Sequence, residues 1–94
     1  MRDGRFEWND DKARSNFAEH KITFEIARRV FDDPHAETIY DDRIDYGEDR
    51  YNRIGMIFGR LVTVCYTERG KSVRIISARK ANKREQNTYF KRGR

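Results

Sequence analysis

The 94-residue sequence predicts a small α+β domain: a three- to four-stranded, mainly antiparallel sheet, two N-terminal helices packed on one side of it, and a short C-terminal helix. Three observations carry that expectation. Residues 50–79 hold three β-rich runs separated by Gly59-Arg60 and Arg69-Gly70, the punctuation of a hairpin meander. Residues 10–31 place apolar side chains at helical spacing, and Pro34 ends that region. The length allows one domain, over residues 1–94, because a chain of this size buries little more than ~60% of its unfolded surface in a single modest core.

In chain order, Phe6-Glu7-Trp8 alternates apolar and charged residues and reads as a short strand. Asn9 or Asp10 can then cap a helix running to about residue 19, with Ala13, Phe17 and Ala18 as its apolar stripe. Thr23 opens a second helix whose inner face is Phe24, Ala27, Val30 and Phe31. Residues 32–49 carry eight acids against one Lys or Arg, and only Thr38-Ile39-Tyr40 is β-like, which suggests an edge strand and a self-repelling acidic loop. Glu48 and Arg50 could instead lean into a site at the start of the next strand.

That strand, residues 50–58, puts Ile54, Met56 and Phe58 on one face. Residues 61–67 are the most apolar and β-branched, hence the sheet centre, with residues 73–78 beside them. Pairing Phe58 with Leu61 sets Ile54 opposite Cys65 and gathers Arg53, Tyr66 and Glu68 on the other face. A two-residue turn at Arg69-Gly70 adds Val73, Ile75, Ser77 and Arg79 to the Glu68 face; a three-residue loop brings Arg74 there instead. Both registers remain open. Asn82 and Glu85 have capping-box spacing, so residues 83–90 form a last helix carrying Lys83, Arg84 and Tyr89 before a basic tail.

Charge points to the partner. Residues 50–94 hold 13 Lys and Arg against two acids, whereas residues 1–49 hold eight against 14. A basic half of that strength favours a polyanion, and nucleic acid is the commonest one. No stretch is long and apolar enough to span a membrane and no hydrophobic leader opens the chain, so a cytoplasmic protein without membrane contact is expected. The single Cys65 sits inside an apolar run and reads as a packing thiol.

Two histidines 15 positions apart and one strand cysteine make no recognisable metal set, and no phosphate loop or Ser/His/Asp set is visible. What remains is Glu68 among Arg69, Lys71, Arg74 and Arg79, with Trp8, Tyr51, Tyr66 and Tyr89 available to stack on bases. RNA supplies its own nucleophile: a base frees the 2′-hydroxyl, guanidinium groups stabilise the phosphorane, and an acid protonates the leaving 5′-oxygen. No cofactor is required. The competing readings are a non-catalytic basic nucleic-acid-binding module and a partner-binding interaction protein.

An ordered set of short motifs resembles a known family. Phe6-Glu7-Trp8-Asn9 with Lys12 and Asn16, Val30-Phe31-Asp32-Asp33-Pro34, Gly47-Glu48-Asp49-Arg50-Tyr51, Thr67-Glu68-Arg69-Gly70, Arg74-Ile75-Ile76-Ser77-Ala78-Arg79, and Arg84-Glu85 with Tyr89 run through nearly the whole chain. Together they are similar to the BrnT toxins of bacterial type II toxin–antitoxin systems, within the wider RelE-like superfamily. The resemblance implies a RelE-like domain and a metal-independent endoribonuclease that arrests growth. It also implies neutralisation by a BrnA-type antitoxin that supplies DNA-operator binding to the complex. By the same resemblance the catalytic set is Arg79, Glu68, Arg74, Arg50 and Glu48, and Trp8, Arg69, Arg84 and Tyr89 fall in the family's motifs; with the neighbouring cations Arg53 and Lys80 they make the expected RNA-binding set. Where the family has a Gly after the histidine between its helices, this chain has Lys21 after His20, replacing a residue that tolerates positive φ.

Overall fold

A computed structural model describes residues 2–42 and 45–92, so the Gly93-Arg94 end of the expected basic tail lies outside the described residues. The elements are β1 (Arg2–Asp3), β2 (Phe6–Trp8), α1 (Asp10–His20), α2 (Phe24–Ala27), a 3₁₀ segment (Arg28–Asp32), β3 (Glu37–Asp41), β4 (Arg50–Ile57), β5 (Arg60–Arg69), β6 (Ser72–Lys80) and α3 (Lys83–Arg92). They form one mixed sheet in the order β1-β2-β6-β5-β4-β3, counting the two-residue β1. The α+β class is as expected, but the sheet is wider than three or four strands. The reason is β2, which lies parallel to β6, Phe6 beside Val73 and Trp8 beside Ile75. α1 and α2 lie between β2 and the rest of the sheet in the chain, a crossover long enough for parallel pairing.

One face of the sheet is the core. Trp8, Val62, Val64, Val73, Ile75 and Ala78 meet Phe24, Ala27 and Val30 of the helical region, and Trp8 packs edge-on against Phe24 at 5.9 Å. Close approach matters at Gly55: a Cβ there would lie 2.8 Å from Val30 Cγ1 and 3.1 Å from Val30 O. α3 covers part of the opposite face through Ile54, Ala81 and Tyr89, joined by Met56 and Leu61.

The short strands β2 and β3 both stop early, and a side chain takes over the exposed edge of the neighbouring strand. β2 pairs only with Val73 to Ile75, and beyond it Asn16 of α1 accepts from Ala78 N–H at 3.0 Å and donates to Ile22 O at 3.0 Å. β3 ends at the level of Ile54, and beyond it Asp33 Oδ2 accepts from Met56 N–H at 2.8 Å and from Tyr89 O–H at 2.7 Å. Buried backbone donors are thereby satisfied without a longer strand.

Local signals account for the helix ends. Asn9 caps α1 by accepting from Lys12 N–H, and Lys21 ends it in the left-handed conformation at φ 62°. Thr23 caps α2, which tightens after one turn into the 3₁₀ segment rather than continuing as an α-helix. Asn82 and Glu85 form the reciprocal capping box, at 2.8 and 2.9 Å. Phe17, expected in the packed stripe of α1, is 47% exposed; Asn16 turns inward in its place.

Candidate functional site

The register decides which charged residues meet. The β4–β5 turn is Phe58-Gly59, so Ile54 faces Thr63 rather than Cys65, a two-residue displacement that leaves the side-chain faces as expected. The β5–β6 turn is Gly70-Lys71 rather than Arg69-Gly70, so Glu68 faces Val73 and Tyr66 faces Ile75, again a two-residue displacement, which keeps Val73 and Ile75 on the Glu68 face as expected. A β-bulge then leaves Ile76 without an opposite residue, so Cys65 faces Ser77 and Thr63 faces Arg79. Ser77 and Arg79 therefore join Arg74 on the face away from the core, not the Glu68 face. Arg74 and Arg79, five positions apart, would sit on opposite faces of a regular strand.

Four arginines of the expected set thus belong to the non-core face, and all four are paired with a carboxylate, three of them through a hydrogen bond. Arg74 Nη1 donates to Glu7 Oε2 at 2.9 Å across the β2–β6 pair. Arg79 makes a two-pronged contact with Glu85, at 2.8 and 2.9 Å. Arg50 Nε donates to Glu48 Oε2 at 3.1 Å, and its guanidinium lies 3.8 Å from the Tyr46 ring centre. Arg69, 3.7 Å from the other Glu48 oxygen, is the most open of the four, its side chain 54% exposed. Thr67, between Arg74 and the Arg50 end, donates to Asp49 O at 2.6 Å and fixes the loop that carries Glu48.

At the rim of the sheet, Glu48, Asp49, Tyr51, Thr67, Glu68 and Arg69 line a cleft of about 490 Å³. This brings together Glu48, Glu68 and Arg69 of the expected set, with Arg50 held to Glu48 beside them. Glu68 is exposed and, among the described residues, no hydrogen bond or ion pair holds it. Behind the cleft Tyr40, Tyr51 and Tyr66 form a ladder, with ring centres 5.7 and 5.4 Å apart. Burial pushes the Tyr66 hydroxyl above the ordinary phenol value, with Glu68 and Tyr51 adding to it and Thr38 and Arg53 opposing. It is therefore a proton donor at neutral pH rather than a base.

Other expected residues are placed elsewhere. Arg53 is on the core face, donating to Thr38 Oγ1 at 2.7 Å and lying over the Phe31 ring. Trp8 is 3% exposed and Tyr89 8%, so neither ring has a free face for a base; the Tyr89 hydroxyl is engaged by Asp33, and burial and that carboxylate push it up to about 12. Lys80 borders a different groove at the far end of the sheet, and Arg84 is an exposed residue of α3. Arg79 anchors α3: burial would raise the Glu85 carboxyl, but Arg79, Asn82 and Thr63 together hold it below the usual carboxylate value. Residues not foreseen are Tyr46 and Glu7, which position Arg50 and Arg74. Pairing them with those arginines requires knowing the acidic loop's path and the parallel β2, neither of which a local pattern encodes. No group of three or more potential metal ligands is assembled among the described residues.

Residues 8–85 match the family model described as "Ribonuclease toxin, BrnT, of type II toxin-antitoxin system". Comparison with curated proteins returns no match.

Proposed function

The chain belongs to the BrnT family of type II toxin–antitoxin ribonuclease toxins, and on that premise we propose that it is a metal-independent endoribonuclease that cuts RNA through its own 2′-hydroxyl and arrests growth. Membership implies an RNA substrate and an antitoxin partner. The observation that carries the finer reading is the bulge at Ile76, which adds Arg79 to the face of Arg74, Arg50 and Arg69 and so gives one face of the sheet a track of four arginines. In this mechanism the RNA backbone crosses that track and the scissile phosphate sits at the rim cleft. Glu68, without an ion pair, takes the 2′-hydroxyl proton; the oxygen attacks phosphorus, the 5′-oxygen leaves, and a cyclic phosphate remains. Arg69 and Arg50, oriented by Glu48, stabilise the charge on the phosphorane, while Arg74 and Arg79 hold the flanking backbone. Tyr51, lining the same cleft, offers the leaving oxygen a proton. General acid–base work contributes about 10²–10⁴-fold and one electrostatic donor about 10²–10³-fold, enough for a modest nuclease without further groups.

The wider reading is that a BrnA-type antitoxin neutralises the protein in the cytoplasm and brings the complex to a DNA operator. No helix among the described residues is long and apolar enough to cross a membrane. The rival reading, a non-catalytic RNA-binding module, draws on the carboxylates already paired with Arg50, Arg74 and Arg79. Labelled RNA incubated with purified toxin in excess EDTA separates the two. Cleavage leaving cyclic phosphate ends, lost in Glu68→Gln, supports the nuclease; salt-sensitive binding without new ends, indifferent to Glu68→Gln, overturns it.

A further inference from the structure

At the end of the sheet remote from Arg50 and Arg69, a groove of about 750 Å³ runs between the α1–α2 junction, the β4–β5 turn and α3. Its floor includes Ile22, Met56 and Leu61, and its walls carry Phe17, Ile26, Phe58 and Phe90, which are 47%, 37%, 74% and 50% exposed. These four are most of the exposed large apolar side chains among the described residues. A scattered exposed apolar residue means little, but a contiguous set around one depression marks a contact surface.

Phe58 sharpens the point. It occupies the first central position of the turn at φ 48°, followed by Gly59 at φ 78°. Such a turn favours Asn-Gly, and a bulky aromatic residue at positive φ is a strained choice that folding alone does not reward. Strain at an exposed residue points to use of that side chain. The rim is cationic, with Lys21, Arg60 and Lys80 beside His20, and no Asp or Glu lines the groove. An aliphatic floor with aromatic walls and a purely basic rim complements a helix that is apolar on one face and acidic on its flanks.

We propose that this groove seats an acidic amphipathic helix of the cognate antitoxin. The inference rests on the toxin–antitoxin reading above, and it makes the seat distinct from the rim cleft where cleavage is placed: β4 alone, eight residues long, separates the two by on the order of 25 Å at ~3.4 Å per residue. Phe58 is the anchor, inserting between apolar residues spaced three and four apart on the incoming helix, while Arg60 meets its acids.

The test titrates purified cognate antitoxin into wild-type toxin, Phe58→Asn and Arg60→Glu, with cleavage of a labelled RNA measured in parallel. Phe58→Asn suits the turn, so the variant folds at least as well as wild type. The expected result is at least a tenfold loss of antitoxin affinity in Phe58→Asn and at least a threefold, salt-dependent loss in Arg60→Glu, with RNA binding and cleavage unchanged. Affinities within twofold of wild type in both variants overturn the proposal. So does a loss of RNA binding in place of antitoxin binding, which would make the groove a nucleic-acid surface. A photo-reactive phenylalanine analogue at position 58 should cross-link to an acidic, helically patterned antitoxin segment; cross-linking to a basic segment overturns the assignment. If wild-type toxin cuts no RNA but the variants still lose antitoxin affinity, the nuclease reading fails and the groove assignment stands.

Discussion

The two ends of the β4–β5 hairpin are built on opposite physical terms. At one end, Arg50 and Arg69 share the carboxylate of Glu48, and Glu68 stands beside them without an ion pair. Charge there is compensated and positioned. At the other end, Phe58 projects from a strained turn beside an apolar groove lined by Lys21, Arg60 and Lys80 and by no Asp or Glu, and its ring, 74% exposed, meets only the Arg29 guanidinium among the ring contacts of the described residues. In the proposed reading the first end acts on something that arrives and leaves, and the second is covered by a partner. The length of one hairpin would then keep substrate chemistry and partner contact apart.

The largest effect that tests this division is on rate. Arg69→Ala, at an open position, should lower RNA cleavage by about 10²–10³-fold while moving the melting temperature and antitoxin affinity little. A variant that cuts normally would remove Arg69 from the arginine end. Next comes Arg79→Ala, expected to destabilise the fold by about 1–3 kcal/mol because it leaves the nearly buried Glu85 without its two-pronged partner. Urea unfolding measures this, and hydrogen exchange should report α3 loosened first. Lost activity in Arg79→Ala must therefore be read beside its stability. Gly55→Ala should cost a similar 1–3 kcal/mol through overpacking against Val30, seen as a lower denaturation midpoint with an unchanged active face.

A smaller effect follows from acid. Hydrogen bonds to Tyr89, Met56 and His35 outweigh burial, which opposes them, and hold Asp33 below its usual 3.8; Glu85 is likewise held below 4.5. Because their folded values are depressed, the stability they contribute is present above those ordinary values and is lost as pH falls through the lower folded ones. Melting curves from pH 6 to pH 3 should therefore drop below about pH 4.5, with Asp33→Asn showing a shallower decline. Smallest is Lys21→Gly, expected to raise stability by about 0.5–1 kcal/mol by relieving the left-handed helix end; calorimetry checks it. Unchanged melting would mean that Lys21, whose Nζ donates to Ala18 O at 3.1 Å, already offsets its strain.

Much of this was legible in the residues because it is local. The Asn82–Glu85 cap, the Thr23 start and the edge strand around Thr38-Ile39-Tyr40 each follow from a few adjacent side chains, while the left-handed helix end at Lys21 was suggested only by the Gly that the family has there. The hairpin faces were legible too, since a two-residue error in turn placement preserves alternation. What escaped was set by distant partners. Nothing in Phe6-Glu7-Trp8 says that it will lie parallel to β6, so Glu7 as the companion of Arg74 was out of reach. The inward turn of Asn16 in place of Phe17 depends on an orphan N–H at Ala78, visible only once the strands are laid side by side. The bulge at Ile76 was the most consequential of these, because both registers considered assumed an unbroken alternation. Of the candidate residues, Glu48, Arg50, Glu68 and Arg69 do converge. Trp8 and Tyr89 share the family motifs but serve packing.

The bulge has a further meaning for how β6 tolerates change in length. Ile76 is the surplus residue of the strand: excising it would leave Arg74 four positions from the arginine now at 79, an even interval, so both would keep their face and Ala78 its place in the core. Removing a residue on either side of the bulge while the bulge persists would instead make the count odd and turn one arginine inward. Insertions and deletions in this strand are therefore not equivalent, and the position that looks most irregular is the one whose loss the pattern can absorb.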